Sequence, residues 1–310
     1  MASWTAADIP DQTGTTVVVT GANSGLGLRS AEALAAKGAH VLLACRNAAK
    51  AAVALETVKA AASGAAPEVV SLDLSSLASV RECAAGLAER FDHLDVLMNN
   101  AGIMAVPKAV TVDGFESQLG TNHLGHFALT GLLLPTLLAA PAPRVVNVSS
   151  NAHKLGRLHL DDLFFERSHY SRWRAYGQSK LANLLFTSEL QRRAVDAHTA
   201  LTAAAAHPGY SATNLTSGPA VGAAILRPFL ALGDKLVGQP DHMGALPQLY
   251  VATMPDVLPD DYWGPDSFRE QRGYPKRVGR TRFAQDTDAA RQLWERSEEL
   301  TGVTYAWPAA

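Results

Sequence analysis

The chain has 310 residues, 47% of them hydrophobic and 18% charged, with a formal net charge of −2. That length supports one large domain with a sizeable core, and the slightly acidic balance excludes the basic footprint of a nucleic-acid binder. No breaker-free apolar run reaches the roughly 18 residues of a membrane span, and the start lacks a secretory pattern, so a cytoplasmic location is expected. Cys45 and Cys83 are the two cysteines, and both read as reduced structural residues. No Cys/His spacing fits a metal, and the ten scattered histidines read as surface or packing residues.

In chain order, residues 15–20 are short and β-branched, as in a buried strand. They run into Gly21-Ala22-Asn23-Ser24-Gly25-Leu26-Gly27, and a helix pattern follows with Leu28, Ala31, Leu34 and Ala35 on one face. Strand, glycine turn and helix together form a dinucleotide-binding context, because the helix start offers N–H groups to a pyrophosphate. Residues 40–45 are the second strand, ending at Arg46, and an alanine-rich helix spans about 48–62. The third strand, 68–72, ends at Asp73-Leu74; a helix covers about 77–90, and the fourth strand, 94–98, runs into Asn99-Asn100-Ala101-Gly102. A long helix is expected over about 113–138, carrying Asn122 and kinked or ended by Pro135. The fifth strand, 144–148, ends at Ser149-Ser150, and the sixth, 200–206, ends at His207-Pro208-Gly209.

Regular β/α alternation without period-two patterning predicts an α/β fold with a doubly wound parallel sheet of Rossmann type. Every glycine or polar cluster named above then falls at the carboxyl ends of the strands, where such sheets bind ligands. Between the fifth and sixth strands lies Ala175-Tyr176-Gly177-Gln178-Ser179-Lys180, at the head of a helical run. Positions four apart share a helix face, so the Lys180 ammonium would stand beside the Tyr176 phenol and lower its pKa from about 10. By itself this pair is the ordinary pattern of a solvated helix, and only the company it keeps points to catalysis.

Beyond residue 213 the chain is less informative. The apolar stretch 223–232, with its central proline, reads by itself as a core helix; a helix is expected over 243–252, the end of a seventh strand and a turn at 263–266, and a short surface-covering helix over 291–300.

Taken together, Thr20-Gly21-x-x-x-Gly25-x-Gly27, Asn99-Asn100-Ala101-Gly102, Asn122, Ser149-Ser150, Tyr176-x-x-x-Lys180 and Pro208-Gly209 resemble the short-chain dehydrogenase/reductase family, in order, over about residues 14–215. Ala44-Cys45-Arg46-Asn47, Asn147-Val148-Ser149-Ser150 and Ser179-Lys180-Leu181-Ala182-Asn183 are similar to its retinol-dehydrogenase-like branch, which includes oxidoreductases carrying WW domains. The resemblance implies a single domain over residues 1–310, with a cofactor core at about 14–215 and a substrate lid and C-terminal cover at about 213–310. It implies Tyr176 as acid/base, Lys180 on the nicotinamide ribose, Ser150 rather than Ser149 on the substrate oxygen, and Asn122 in a water relay to Lys180. It also implies a cofactor site of Gly21, Asn23, Ser24, Gly25, Leu26, Gly27, Arg46, Asp73, Leu74, Asn100, Ala101, Gly102, Tyr176, Lys180, Pro208, Gly209 and Thr213.

Three expectations follow from the branch and the residues. NADP(H) should be preferred over NAD(H), because Cys45 stands where an NAD enzyme has an acidic residue, and Arg46 beside it can meet a 2′-phosphate. The substrate should be an apolar alcohol or carbonyl, given the apolar segment at 225–232 and Phe164, Phe165 and Trp173. A homodimer or homotetramer is expected through the Asn122 and Tyr176 helices, with residues 129–134 serving either as that face or as core. Two other functions use the same residues: reduction of an activated carbon–carbon double bond, and cofactor-dependent regulation with little turnover.

Overall fold

The computed structural model describes residues 3–210, 239–267 and 269–308. Seven strands, β1 (Thr16–Thr20), β2 (His40–Cys45), β3 (Glu68–Ser71), β4 (Val96–Asn99), β5 (Arg144–Val148), β6 (Thr202–Ala206) and β7 (Tyr262–Ser267), lie parallel in the order β3-β2-β1-β4-β5-β6-β7. An eighth, β8 (Arg272–Arg277), closes the edge antiparallel to β7. The order reverses between β1 and β4, which makes that edge the switch point of a doubly wound sheet. Register aligns the strand ends: Thr20 pairs with Ala44, Asn99 with Asn147 and Val148 with Ala206.

Both faces of the sheet are buried, which explains the unbroken apolar strands. Val17 and Val19 point into a core with α1 (Gly25–Ala35), α2 (Ala48–Ala61) and later α6 (Leu246–Thr253). Val18 points the other way, toward α3 (Leu77–Arg90), α4 (Gly125–Leu138) and α5 (Arg172–Asp196). The last helix, α7 (Thr287–Thr301), packs Trp294 against Phe127 and Phe186. Helix α5 is therefore enclosed by the sheet, Tyr262 of β7 included, on one side and by Leu163, Ala284 and Leu293 on the other. This enclosure buries Tyr176 and Lys180.

The expected helix over 113–138 is shorter and interrupted. Asp113 instead accepts the Leu77 N–H, and Gly114 turns at φ +85. Helical structure begins at Ser117–Leu119 with Glu116 as its cap, and a widened turn, Gly120–Leu124, with five-residue spacing precedes α4. Pro135 neither ends nor precedes the end by much: α4 runs on to Leu138, so the missing N–H costs only a bond in the final turn. Residues 263–266 lie inside β7 rather than at its end, with Pro265 facing Pro275 across an edge hairpin where a missing donor is tolerated. The expected helix over 243–252 is two pieces, Asp241–Gly244 and Leu246–Thr253. The last helix is no mere surface cover, since Leu293, Trp294 and Ser297 are buried. Residues 129–134 resolve as core: Leu129, Leu133 and Leu134 are fully buried, and a Cβ on Gly131 would come 2.6 Å from the Tyr305 ring. The stretch 223–232 lies outside the described residues. No described helix is long and apolar enough to cross a membrane.

Candidate active site

The glycine turn leaves β1 at Gly21, whose φ is +69, and enters α1 at Gly25, φ +53. A Cβ on Gly27 would fall 2.5 Å from both the Asn100 Nδ2 and the Gly21 carbonyl oxygen, so only glycine fits there. Asn100 holds the turn in place: its Nδ2 donates to the Thr20 carbonyl at 2.7 Å, while its Oδ1 accepts from Gln248 Nε2 at 3.0 Å. Asn23 and Leu26 are half-buried along the turn, and Ser24 is exposed at the start of α1. A backbone cradle at a helix start fits the pyrophosphate of a dinucleotide.

At the next strand end the Cys45 thiol accepts from the backbone N–H groups of Ala22 and Asn23, and burial pushes its pKa up to about 11. The residue is therefore neutral where an acid would otherwise meet a ribose. Arg46 is exposed, with 69% of its side chain open and Nη1 3.8 Å from Asp73 Oδ1. That same oxygen accepts from the N–H and hydroxyl of Ser75. Leu74 is buried, with its carbonyl oxygen and Cβ packed against Gly125 at the head of α4.

Ser149 and Ser150 end β5 differently. Ser149 is buried and donates to the Lys180 carbonyl at 2.8 Å. Ser150 is half-buried; its hydroxyl accepts from Ala152 N–H at 3.1 Å and hydrogen-bonds with the Tyr176 phenol. Lys180 Nζ donates to the Val148 carbonyl at 3.0 Å and lies 5.8 Å from the centre of the Tyr176 ring. Asn183, one turn on, donates to the same carbonyl. Asn122 enters from the widened turn: its Oδ1 accepts from Ile103 N–H at 2.8 Å, and its Nδ2 donates to the Ile103 carbonyl and Ser179 Oγ, each at 2.9 Å. A Cβ on Gly102 would lie 3.1 Å from Asn122 Oδ1 and 3.4 Å from Lys180 Nζ, so the three residues converge.

The expected lowering of the phenol pKa is not what this structure shows. Burial pushes Tyr176 up to about 12, with the Ser150 contact opposing it, and Lys180 falls to about 8 for the same reason. Desolvation outweighs the charge because both groups are enclosed within α5 and the lysine directs its protons to Val148. Four histidines, His123, His126, His153 and His207, are buried and held below their usual pKa by desolvation. They are interior polar groups, not surface residues.

Pro208 and Gly209 follow β6. Gly209, at φ +68, donates its N–H to His207 Nδ1 at 3.2 Å, and the Pro208 carbonyl accepts from Gln239 at 2.7 Å. Gln239 also accepts from Gly273 N–H, joining this loop to β8. Thr213 lies outside the described residues. Thr20 and Ser179 appear in the motifs read from the sequence, but His126, Gln239 and Gln248, which contact Asn122, Pro208 and Asn100, are not singled out there. None of the three carries a local signal, because nothing in its immediate neighbours names the contact it makes.

A backbone cradle at the switch point, with a phenol, a hydroxyl and an ammonium gathered at the neighbouring strand ends, defines a dinucleotide-dependent oxidoreductase. A family model described as short chain dehydrogenase matches residues 15–219, and the chain belongs to that family. It is 38% identical over 295 residues to human retinol dehydrogenase 13, covering 94% of this chain and 85% of that one. Mouse retinol dehydrogenase 14 is 40% identical over 303 residues, with 94% and 86% covered. A crystal structure of a protein from Mycobacterium paratuberculosis superposes with a TM-score of 0.82 at 48% identity, covering 99% of this chain and all of that one. The Pseudomonas aeruginosa RhlG/NADP active-site complex superposes with a TM-score of 0.63 at 25% identity, covering 81% and 94%. The chain is thus an NAD(P)-dependent alcohol/carbonyl oxidoreductase of the retinol-dehydrogenase-like branch.

Proposed function

We propose that the protein uses NADP(H) to interconvert an alcohol and its carbonyl on a mainly apolar substrate, with Tyr176 as acid/base. The observation that carries this reading is the meeting of the Tyr176 phenol with Ser150, one helical turn from Lys180, at the edge that bears the glycine turn. A carbonyl becoming an alkoxide needs a hydrogen-bond donor and a proton source at its oxygen. Ser150 is the donor, and Tyr176, its pKa near 12, holds its proton at neutral pH. Lys180 and Asn122 then re-supply that proton. The dinucleotide, when bound, supplies hydride chemistry. Gly21, Asn23, Ser24, Gly25, Leu26, Gly27, Arg46, Asp73, Leu74, residues 100–102, Tyr176, Lys180, Pro208, Gly209 and Thr213 are the groups that would hold it.

NADP(H) is favoured by the neutral Cys45 and the exposed Arg46. An apolar substrate is favoured by Trp173, 54% exposed, whose ring stands edge-on 6.1 Å from that of Tyr176. The relatives named retinol dehydrogenases point to a long apolar alcohol of the same kind. We read the chain as one domain, since β7, β8, α6 and α7 complete the sheet and cores of the cofactor half. A homodimer or homotetramer of this chain has to use a surface other than residues 129–134.

The test follows NADPH oxidation against apolar aldehydes and ketones, enones and short sugars, with Tyr176→Phe alongside. Apolar carbonyls should turn over, and Tyr176→Phe should lose about 10²–10⁴ in kcat with NADPH affinity retained. Preference for short sugars or acids, or a Tyr176→Phe enzyme that keeps most of its kcat, would sink the reading.

A further inference from the structure

Thr20 closes β1, and its hydroxyl sits at a junction. It accepts the N–H of Asn100 at 3.0 Å and that of Ala101 at 2.9 Å, and it meets His126 Nε2 at 2.9 Å. The other ring nitrogen, Nδ1, lies 3.0 Å from the main-chain carbonyl oxygen of Asn122. A carbonyl only accepts, so Nδ1 carries a hydrogen. Burial, helped by the nearby Lys180 charge, drives the His126 pKa to about 4, so the ring is neutral and Nε2 is a bare acceptor. The single Thr20 proton therefore goes to Nε2 rather than to the more distant Met98 carbonyl at 3.3 Å. Both lone pairs of the hydroxyl are then turned to Asn100 and Ala101. One direction of donation runs through the whole set, from the 99–102 turn to Thr20, to His126, to the Asn122 carbonyl.

Asn122 is thus held at two places. Its side chain is clasped by the Ile103 backbone, just beyond the cofactor turn. Its carbonyl is held by a side chain four residues on, across the widened turn. We propose that His126 is a positioning residue for the acid/base group, transmitting the placement of the 99–102 turn through Thr20 to the main chain of Asn122. This rests on the assignment of Asn122 to the proton relay made above. Removing the Nδ1–H leaves the cofactor turn and the Tyr176 pair in place but takes away the side-chain hold on the Asn122 carbonyl. Turnover should fall, while the KM for the carbonyl and the affinity for NADPH change little.

The two ends of the ring can be separated by substitution. His126→Asn keeps an N–H donor where Nδ1 stands and loses the Thr20 end; His126→Gln reaches Thr20 and loses the Asn122 end. Steady-state kinetics, NADPH titration by fluorescence and thermal melting are measured for both, for His126→Leu and Thr20→Val, for their double variant, and for Asn122→Ala as reference. His126→Leu and His126→Gln should lose on the order of tenfold in kcat, the worth of one hydrogen bond, with KM within about threefold; His126→Asn should recover most of that loss. Adding Thr20→Val to His126→Leu should cost less than Thr20→Val alone, because the link is already cut. Equal kcat in the Asn and Gln variants overturns the proposal even if His126→Leu does not fold; where it folds, fully additive losses in the double variant overturn it as well. Normal turnover in His126→Leu beside an impaired Asn122→Ala overturns the proposal alone. Normal turnover in Asn122→Ala overturns the relay assignment and the proposal with it.

Discussion

The Ser149 hydroxyl donates to the Lys180 carbonyl at 2.8 Å, fastening the end of β5 to α5 one turn beyond Tyr176. Its neighbour Ser150 directs its hydroxyl to Tyr176 instead. Adjacent serines on a strand end point to opposite sides, and here one side is the helix interior and the other the reacting edge.

Substitution should separate the two. Ser149→Ala removes one buried hydrogen bond and should lower stability by about 1 kcal/mol, with kcat reduced only through looser placement of α5. Ser150→Ala gives up half-exposed contacts and should cost no more stability than Ser149→Ala, but should lose about 10²–10³ in kcat, as expected when one donor to a developing oxyanion is removed. Urea denaturation and steady-state rates measured side by side decide it; a larger kcat loss for Ser149→Ala would reverse the assignment.

Lys180 carries a stability cost that is visible in its pKa. Its folded-state value is depressed from 10.5 to about 8 by burial. Between those two values the unfolded chain binds one proton more than the folded chain, so stability from this residue rises with pH across that window. Below pH 8 the burial penalty is fully present. Lys180→Met keeps the length of the side chain without the charge, so it should raise the melting temperature at pH 7 by on the order of 5 °C while abolishing turnover. The gain should shrink as pH rises from 8 to 10.5. A gain that is independent of pH, or a loss at pH 7, would show that Lys180 is not a desolvated ammonium.

Residues 303–307 are more than a trailing end. The Tyr305 hydroxyl donates to the Phe127 carbonyl at 2.7 Å, and its ring, with Val303, lies over Gly131 of α4. Tyr305→Ala should cost about 3–5 kcal/mol, as for a large buried aromatic. A chain cut after Gly302 should uncover part of the apolar α4 and self-associate, shifting the mass measured by light scattering upward. An unchanged mass with unchanged stability would mean that this segment contributes little to the core.

What could be read from the sequence was local. The glycine turn, Tyr176 with Lys180, and the strand-end pairs are each spelled within a few residues, and strand–helix alternation placed all of them on one edge. Burial was not legible, because it is set by segments far apart. Leu163, Tyr262 and Leu293 pack against α5 from three distant parts of the chain, and the phenol pKa rises by burial where adjacent charge alone implied a fall. Thr20 and His126 are likewise 106 positions apart, and neither residue type signals the contact. The β7–β8 hairpin was half-seen, since Pro265 read as a turn until it is found facing Pro275 across a sheet edge, and nothing marked the partner strand.

The proposed choice of NADP(H) rests on Cys45 and Arg46. A dinucleotide without a 2′-phosphate gains most from a carboxylate at the end of β2, which would accept from both ribose hydroxyls. The thiol there is neutral and already accepts from Ala22 and Asn23, so it offers little to a ribose. Arg46, next in the chain, is largely open, and its only ionic partner among the described residues is Asp73 at 3.8 Å, too long for a firm pair. A 2′-phosphate arriving beside it would gain a charge-assisted, two-pronged contact. Hydrogen bonds to charged groups are worth roughly 1.5–3 kcal/mol, so Arg46→Ala should weaken NADPH binding about ten- to a hundredfold and leave NADH binding little changed. Cys45→Asp should move the preference the other way, by placing a carboxylate where the ribose lies and repelling the phosphate. Fluorescence titration of both cofactors against wild type and the two variants checks this. Equal losses for NADPH and NADH in Arg46→Ala, or a wild-type preference for NADH, would remove Arg46 from the phosphate site.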